Sequence, residues 1–223
     1  MIIGVFDSGK GGTTVSEAIT KMNPGIHVIY VSDAKHCPYG EKDDETLYGL
    51  VSRIVRGFVN ANLDMVVIAC NTATTRCIKR LREDFPDMPF IGTEPAVKLA
   101  AGSDAKKILV LATPGTIHSE RLETLVKDNQ KKGQTIDLLA CPGLADTIEF
   151  NLDEDNSKIE QKLGELLKDT DKDYDAIVLG CTHYSLIKPM IQKFFPTAKL
   201  IDGNEGIARR VGAIAEEIRK REA

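Results

Sequence analysis

Five cysteines punctuate the chain, Cys37, Cys70, Cys77, Cys141 and Cys181, and two of them stand in matching surroundings. DMVVIACNT (Asp64 to Thr72) and DAIVLGCTH (Asp175 to His183) share an Asp, an apolar run, a small residue, a cysteine and then a hydroxyl or amide residue. Each run therefore ends a strand at a cysteine, where strand gives way to loop or helix start. A thiol there suits proton transfer or nucleophilic chemistry, because a helix amino terminus lowers its pKa below the free value of about 8.5. Free cysteine is also a small hydrophobe that is often buried, so packing stands beside catalysis as a reading of either residue. Their matching positions favour catalysis, whereas Cys77 in TTRCIKRL and Cys141 before Pro142 read as packing residues.

The repeat extends upstream, where IIGVFDS ends in Asp7 and Ser8 and ILVLATP leads to Thr113. Strand-plus-polar-tip units thus occur as two pairs. This predicts two related α/β lobes, each presenting polar groups at the carboxyl ends of its central strands, where open α/β sheets bind ligands. Two such edges facing each other make one cleft with a cysteine on either wall.

The elements that must position these groups follow from hydrophobic period. Strands are expected near Ile2 to Phe6, His27 to Val31, Met65 to Ala69, Pro89 to Gly92, Lys107 to Ala112, Thr135 to Ala140, Ala176 to Gly180 and Lys199 to Ile201. Longer amphipathic segments separate them, the signature of a parallel α/β protein. Glu45 to Leu63 carries Leu47, Leu50, Val51, Ile54, Val55 and Phe58 at helical spacing, and Ser157 to Leu167 starts from a Ser N-cap with Glu160 three residues later. Their charged faces read as solvated exteriors. No low-complexity segment or long Pro/Gly linker occurs, so two lobes would be joined tightly.

Composition bounds the function. The 223 residues are 42% hydrophobic and 28% charged, ordinary for a soluble globular chain. The net charge is -4, with basic residues interspersed among acidic ones, so nucleic acid is not an expected partner. The opening run MIIGVF is too short for a signal sequence or membrane span, and a cytoplasmic protein away from membranes is expected. An odd number of cysteines without a CxxC pair argues against a disulfide framework and a structural zinc site.

The motifs resemble glutamate racemase, of the aspartate/glutamate racemase superfamily, along nearly the whole chain. The matching segments are GVFDSGKGGTTV (Gly4 to Val15), CPYG (Cys37 to Gly40), ACNTATT (Ala69 to Thr75), IGTEPAVK (Ile91 to Lys98), ATPGT (Ala112 to Thr116), ACP with a later Glu149, GCTHYSLIKPMI (Gly180 to Ile191) and LIDGNEGIARRV (Leu200 to Val211). The resemblance implies two pseudo-symmetric flavodoxin-like lobes with the active site between them, one of residues 1–92 and 206–223 carrying Cys70, the other of 93–205 carrying Cys181. It implies no pyridoxal phosphate and no metal, glutamate as substrate, a homodimer, and a role in supplying D-glutamate for peptidoglycan. By motif position, Cys70 and Cys181 become the proton-transfer bases, with Asp7, His183 and Glu149 assisting. Ser8, Tyr39, Gly40, Asn71, Thr72, Thr113, Thr116 and Thr182 match positions that bind the ammonium and carboxylate groups of the substrate.

The chemistry shows why such residues are needed. The α-proton of an amino acid is weakly acidic, so its removal requires donors preorganised around the carboxylate. Inversion then needs a base on one face and a protonated group on the other, roles that a thiolate and a thiol fill when their pKa values lie near working pH. Racemisation of aspartate or another amino acid, and amino-acid binding without turnover, are the competing readings. FDSGKGGTT looks like a phosphate-cradling loop, but the P-loop needs GxxxxGK followed by Ser or Thr, and Lys10 is followed by Gly11.

Overall fold

A computed structural model describes residues 1–152 and 154–222, so Ala223, the last residue of the expected first lobe, lies outside it. The chain divides into two compact units, Met1–Thr93 with Gly203–Ala223, and Glu94–Asp202. In the first, strands β1 (Ile2–Asp7), β2 (His27–Ser32), β3 (Met65–Ile68) and β4 (Phe90–Gly92) alternate with helices α1 (Thr13–Met22), α2 (Asp44–Asn60) and α3 (Asn71–Asp84). In the second, α4 (Val97–Gly102) precedes β5 (Lys107–Ala112), α5 (Pro114–Ile117), α6 (Glu120–Asn129), β6 (Thr135–Ala140), α7 (Leu144–Asn151), α8 (Asn156–Leu167), β7 (Ala176–Leu179), α9 (Thr182–Leu186), α10 (Lys188–Phe194) and β8 (Lys199–Ile201). The long terminal helix α11 (Asn204–Glu222) then returns to the first unit, where it packs on α1.

The two sheets have one topology. Their strand orders are β2-β1-β3-β4 and β6-β5-β7-β8, with every pair parallel. This is the α/β architecture expected from the alternation of apolar runs and amphipathic segments, with all eight expected strands present. The central strands β3 and β7 are buried along their whole length, as strands covered by helices on both faces must be. Side-chain alternation divides the cores accordingly. Ile3, Val5, Met65 and Val67 pack with α1 and α11, while Phe6, Val66 and Ile68 pack with α2 and α3. In the second unit, Leu109, Leu111, Ile177 and Leu179 join α7, α8 and α10, and Ile108, Val110, Ala176 and Val178 join α4 and α6.

Two helix ends differ from expectation. The helix α2 stops at Asn60 rather than running to Leu63, because Asn62 takes a left-handed conformation (φ 53°) that small polar side chains tolerate. The N-cap of α8 is Asp155, not Ser157: the Asp155 carboxylate accepts from the Ser157 N–H at 3.0 Å and from its hydroxyl at 2.6 Å. A carboxylate at that point takes both donors and faces the positive end of the helix dipole, which draws the start of the helix forward. Among the described residues no helix is long and apolar enough to cross a membrane.

Candidate active site

In a sheet ordered 2-1-3-4, the chain leaves the first strand toward one side and later returns on the other. A crevice therefore opens between the carboxyl ends of the first and third strands, and it is there that open α/β sheets bind ligands. In the first unit those ends carry Asp7 and Cys70. The Ala69 N–H donates to the Phe6 carbonyl at 2.8 Å, so the pairing of β3 with β1 continues to the residue before the cysteine. Cys70 is then the N-cap of α3, buried, without using its side chain to cap the helix. Its thiol donates to Ser8 Oγ at 3.8 Å.

Asp7 is fully buried at the tip of β1, and its Oδ1 accepts from the Ser8 N–H at 2.7 Å. The close approach of the following turn depends on Gly12, where an added Cβ would lie 2.6 Å from the Asp7 Cβ and 2.9 Å from the Tyr30 ring. Asn71 and Thr72, the first residues of α3, are both buried, and Asn71 Oδ1 has no hydrogen-bond partner among the described residues. Tyr39 is buried and donates its hydroxyl to Asp33 Oδ2 at 2.6 Å. Burial first, and then the bond to Asp33 and that carboxylate's charge, push the phenol far above its ordinary range, so it remains protonated. Gly40 follows it, half-buried.

The equivalent crevice of the second unit lies between the ends of β5 and β7. The Gly180 N–H donates to the Leu111 carbonyl at 2.7 Å, and Cys181 is the buried N-cap of α9. Gly180 has no room for a side chain, since a Cβ would sit 2.9 Å from both the Ala112 Cβ and the Leu111 carbonyl oxygen. Cys181 Sγ lies 3.8 Å from His183 Nδ1, and His183 Nε2 lies 2.8 Å from Glu149 Oε2 on α7. Both side chains of that pair are almost wholly buried, at 2% and 4% exposure. In the neutral ring, a proton on Nε2 bonded to Glu149 leaves Nδ1 as an acceptor toward the thiol. Thr182 opens α9, and just past β5 the Thr113 hydroxyl donates to Thr116 Oγ1 of α5 at 3.1 Å.

These two sheet edges fix the kinship. The Asp/Glu/hydantoin racemase family model matches residues 11–211. The chain belongs to this family. Among curated relatives, glutamate racemase of Sulfurovum sp. is 41% identical, with the match covering 97% of this chain and 83% of that protein. Glutamate racemase isoform RacE1 from Bacillus anthracis superposes with a TM-score of 0.85 at 33% identity, over 97% of this chain and 82% of that one. Escherichia coli glutamate racemase, solved with L-glutamate and the activator UDP-MurNAc-ala, superposes with a TM-score of 0.86 at 32% identity, over 96% and 82%. Membership puts the chain among the racemases, isomerases that invert a stereocentre.

Within the first unit the fold brings Asp7, Ser8 and Cys70 to one sheet edge, with Asn71 and Thr72 at the start of the adjoining helix. Within the second it gathers Cys181, Thr182, His183 and Glu149, with Thr113 and Thr116 at the start of α5 beyond the neighbouring strand. One further residue joins them without having stood out in the sequence. Asp33, which holds Tyr39, follows β2 directly, and its N–H donates to the Asp7 carbonyl at 3.0 Å. An acid just past a strand in the segment VSDAKH was the available signal. Cys141, read from the sequence as a packing residue, holds the corresponding place after β6 and has its thiol pushed up to about 12, mainly by burial, so it stays neutral.

Proposed function

We propose that the chain interconverts L- and D-glutamate by a two-base mechanism, using neither pyridoxal phosphate nor metal, as a cytoplasmic homodimer that supplies D-glutamate for peptidoglycan. One observation carries this reading: each of two like-built units ends its central strand in a buried cysteine that caps a helix at the switch point of its sheet. Family membership supplies the reaction class, and the relatives named above are glutamate racemases.

The reading requires the two thiols to address opposite faces of one α-carbon. Cys181, as thiolate, takes the α-proton of the L-enantiomer while the Cys70 thiol delivers its proton to the other face. The product is the D-enantiomer, with Cys181 now a thiol and Cys70 a thiolate, poised for the reverse direction. His183 accepts and returns the Cys181 proton, with Glu149 fixing its tautomer and stabilising its charged form. Asp7 serves Cys70 through Ser8. The developing carbanion is stabilised by donors around the carboxylates, among them Ser8, Thr72, Thr113, Thr116, Thr182 and the Tyr39–Gly40 segment. The unpartnered Asn71 oxygen supports a donor ligand at the α3 start, a role that suits the α-ammonium group.

The test is a circular-dichroism or chiral chromatographic assay of protein dialysed exhaustively against chelator, with both enantiomers of glutamate and of aspartate. Racemisation of glutamate in both directions is expected. Activity that returns only on adding metal or pyridoxal phosphate would overturn the mechanism, and turnover confined to aspartate would overturn the substrate. Binding of glutamate in deuterated water without deuterium entering the α-position would show a binding protein instead.

A further inference from the structure

The segment LIDGNEG contributes a residue to which the reaction assigns no part. Asp202 immediately follows β8, the strand that pairs with β7, so it lies on the same carboxyl edge of the sheet as Cys181. Its Oδ2 accepts from the Ser185 hydroxyl at 3.0 Å and from Lys188 Nζ at 2.6 Å. The Asp202 side chain is 13% exposed, so the pair with Lys188 is shielded more than an ordinary surface ion pair. Ser185 belongs to α9 and Lys188 opens α10, three residues apart across the corner between them.

That corner matters because α9 is a single turn of five residues, too short to hold its own rotation by helical hydrogen bonds. One side of it is anchored by Tyr184 and Ile187, which are buried in the core. Asp202 ties down its polar side. His183 rides on this turn, and its ring must meet Cys181 Sγ at 3.8 Å on one nitrogen and Glu149 at 2.8 Å on the other. A small rotation of α9 spoils both.

We infer that Asp202 is a positioning residue for proton transfer at Cys181: by bridging Ser185 and Lys188 it sets the rotation of α9 and hence the alignment of His183 between Cys181 and Glu149. This rests on Cys181 being one of the two bases. It also makes the effect one-sided, because Ser185 and Lys188 lie on α9 and α10, the helices that follow Cys181.

Asp202→Ala and Asp202→Asn test the inference, with steady-state kinetics in both directions and with glutamate deuterated at the α-carbon in each enantiomer. The expected loss in kcat for Asp202→Ala is about tenfold, since misplacement by a fraction of an ångström suffices for that, with KM nearly unchanged. The isotope effect on kcat/KM should rise for the L-enantiomer and not for the D-enantiomer, an asymmetry that general destabilisation does not produce. Ser185→Ala and Lys188→Met each remove one arm of the bridge and should show the same asymmetry with a smaller loss, and they carry the test if Asp202→Ala fails to fold. Unaltered kcat in the folded variants, or isotope effects that change equally for both enantiomers, would overturn the inference. A wild-type protein without glutamate racemisation would overturn the underlying reading instead.

Discussion

The two strand tips share a backbone and differ in the titratable groups around their cysteines. In each, an aspartate at the foot of the central strand staples the neighbouring strand: Asp64 Oδ2 accepts from the Ile2 N–H at 2.6 Å, and Asp175 Oδ2 accepts from the Lys106 and Lys107 N–H groups at 2.8 Å. Each then runs through a wholly buried strand and a small residue to a cysteine that caps a helix. Above that common frame the partners diverge. The first tip has a carboxylate, Asp7, on the adjacent strand end; the second has Ala112 at the equivalent place, as the matching bonds from the Asp33 and Cys141 N–H groups to Asp7 and Ala112 show. Its titratable partner is instead His183, on the helix that Cys181 itself begins, with Glu149 behind it.

The helices differ as well, fourteen residues of α3 beyond Cys70 against five of α9 beyond Cys181. A longer helix presents the fuller dipole to the residue at its N-cap position, while an imidazole accepts a proton outright. The first cysteine thus begins a long helix beside a carboxylate, and the second a short one beside an imidazole. Like scaffolds with unlike proton partners should give half-reactions that respond to different substitutions.

The largest effects should come from the cysteines themselves. Cys70→Ser and Cys181→Ser should each lower racemisation by about a thousandfold or more in both directions, because a hydroxyl is a far poorer base than a thiolate at neutral pH. In deuterated water, Cys70→Ser should still exchange the α-proton of L-glutamate, and Cys181→Ser that of D-glutamate. Reversed preferences, followed by loss of the α-proton signal, would exchange the two roles; wild-type rates in both variants would end the two-base reading.

Next come the unlike partners. Asp7→Asn and His183→Asn should each cost about a hundredfold in kcat without unfolding the chain, the usual scale of general acid–base assistance. His183→Asn should slow removal of the L-enantiomer's proton more, and Asp7→Asn that of the D-enantiomer. Near-normal turnover with unchanged circular-dichroism spectra would reduce both groups to structural ones.

Smaller effects concern the shared frame. The Lys107 and Lys106 amides hold the Asp175 carboxyl below its ordinary value of 3.8. A depressed carboxyl contributes stability that is present above the unfolded value and lost as pH falls through the folded one. Asp175→Asn should therefore lower the melting temperature by roughly a few degrees at neutral pH, with the gap from wild type closing below pH 3.8. A gap independent of pH would show that the carboxylate's charge is not what staples the strand.

The smallest effect separates the packing cysteines from the strand-tip pair. Burial pushes Cys77 and Cys141 from 9.0 up to about 12. Their neutral thiols stabilise the fold fully below pH 9.0, and that contribution fades as pH rises toward their folded values. Iodoacetamide at pH 8 should leave both unmodified in the folded protein, as peptide mapping would show. Alkylation of either at the rate of an unfolded control would remove the distinction.

Much of this molecule is legible in one dimension because its determinants are local. The period of apolar residues specifies eight strands and the helices between them, and the repeated Asp, apolar run and cysteine marks two like units before any contact is known. The local exceptions are instructive: Asn62 ends α2 by its left-handed backbone and Asp155 starts α8 in place of Ser157, both choices made by short-range hydrogen bonding that hydrophobic period does not encode. The partners of the site belong to tertiary structure. Glu149 meets His183 from 34 residues away, and Asp202 reaches Ser185 from 17, because parallel strands bring distant segments to one carboxyl edge. Likewise Asp33 gains its hold on Tyr39 only once β2 lies beside β1 and lifts it level with Asp7. Residue type and spacing determined which groups are able to carry protons; sheet order and register decided which group stands beside each, since proton transfer depends on ångström distances that only the packed chain sets.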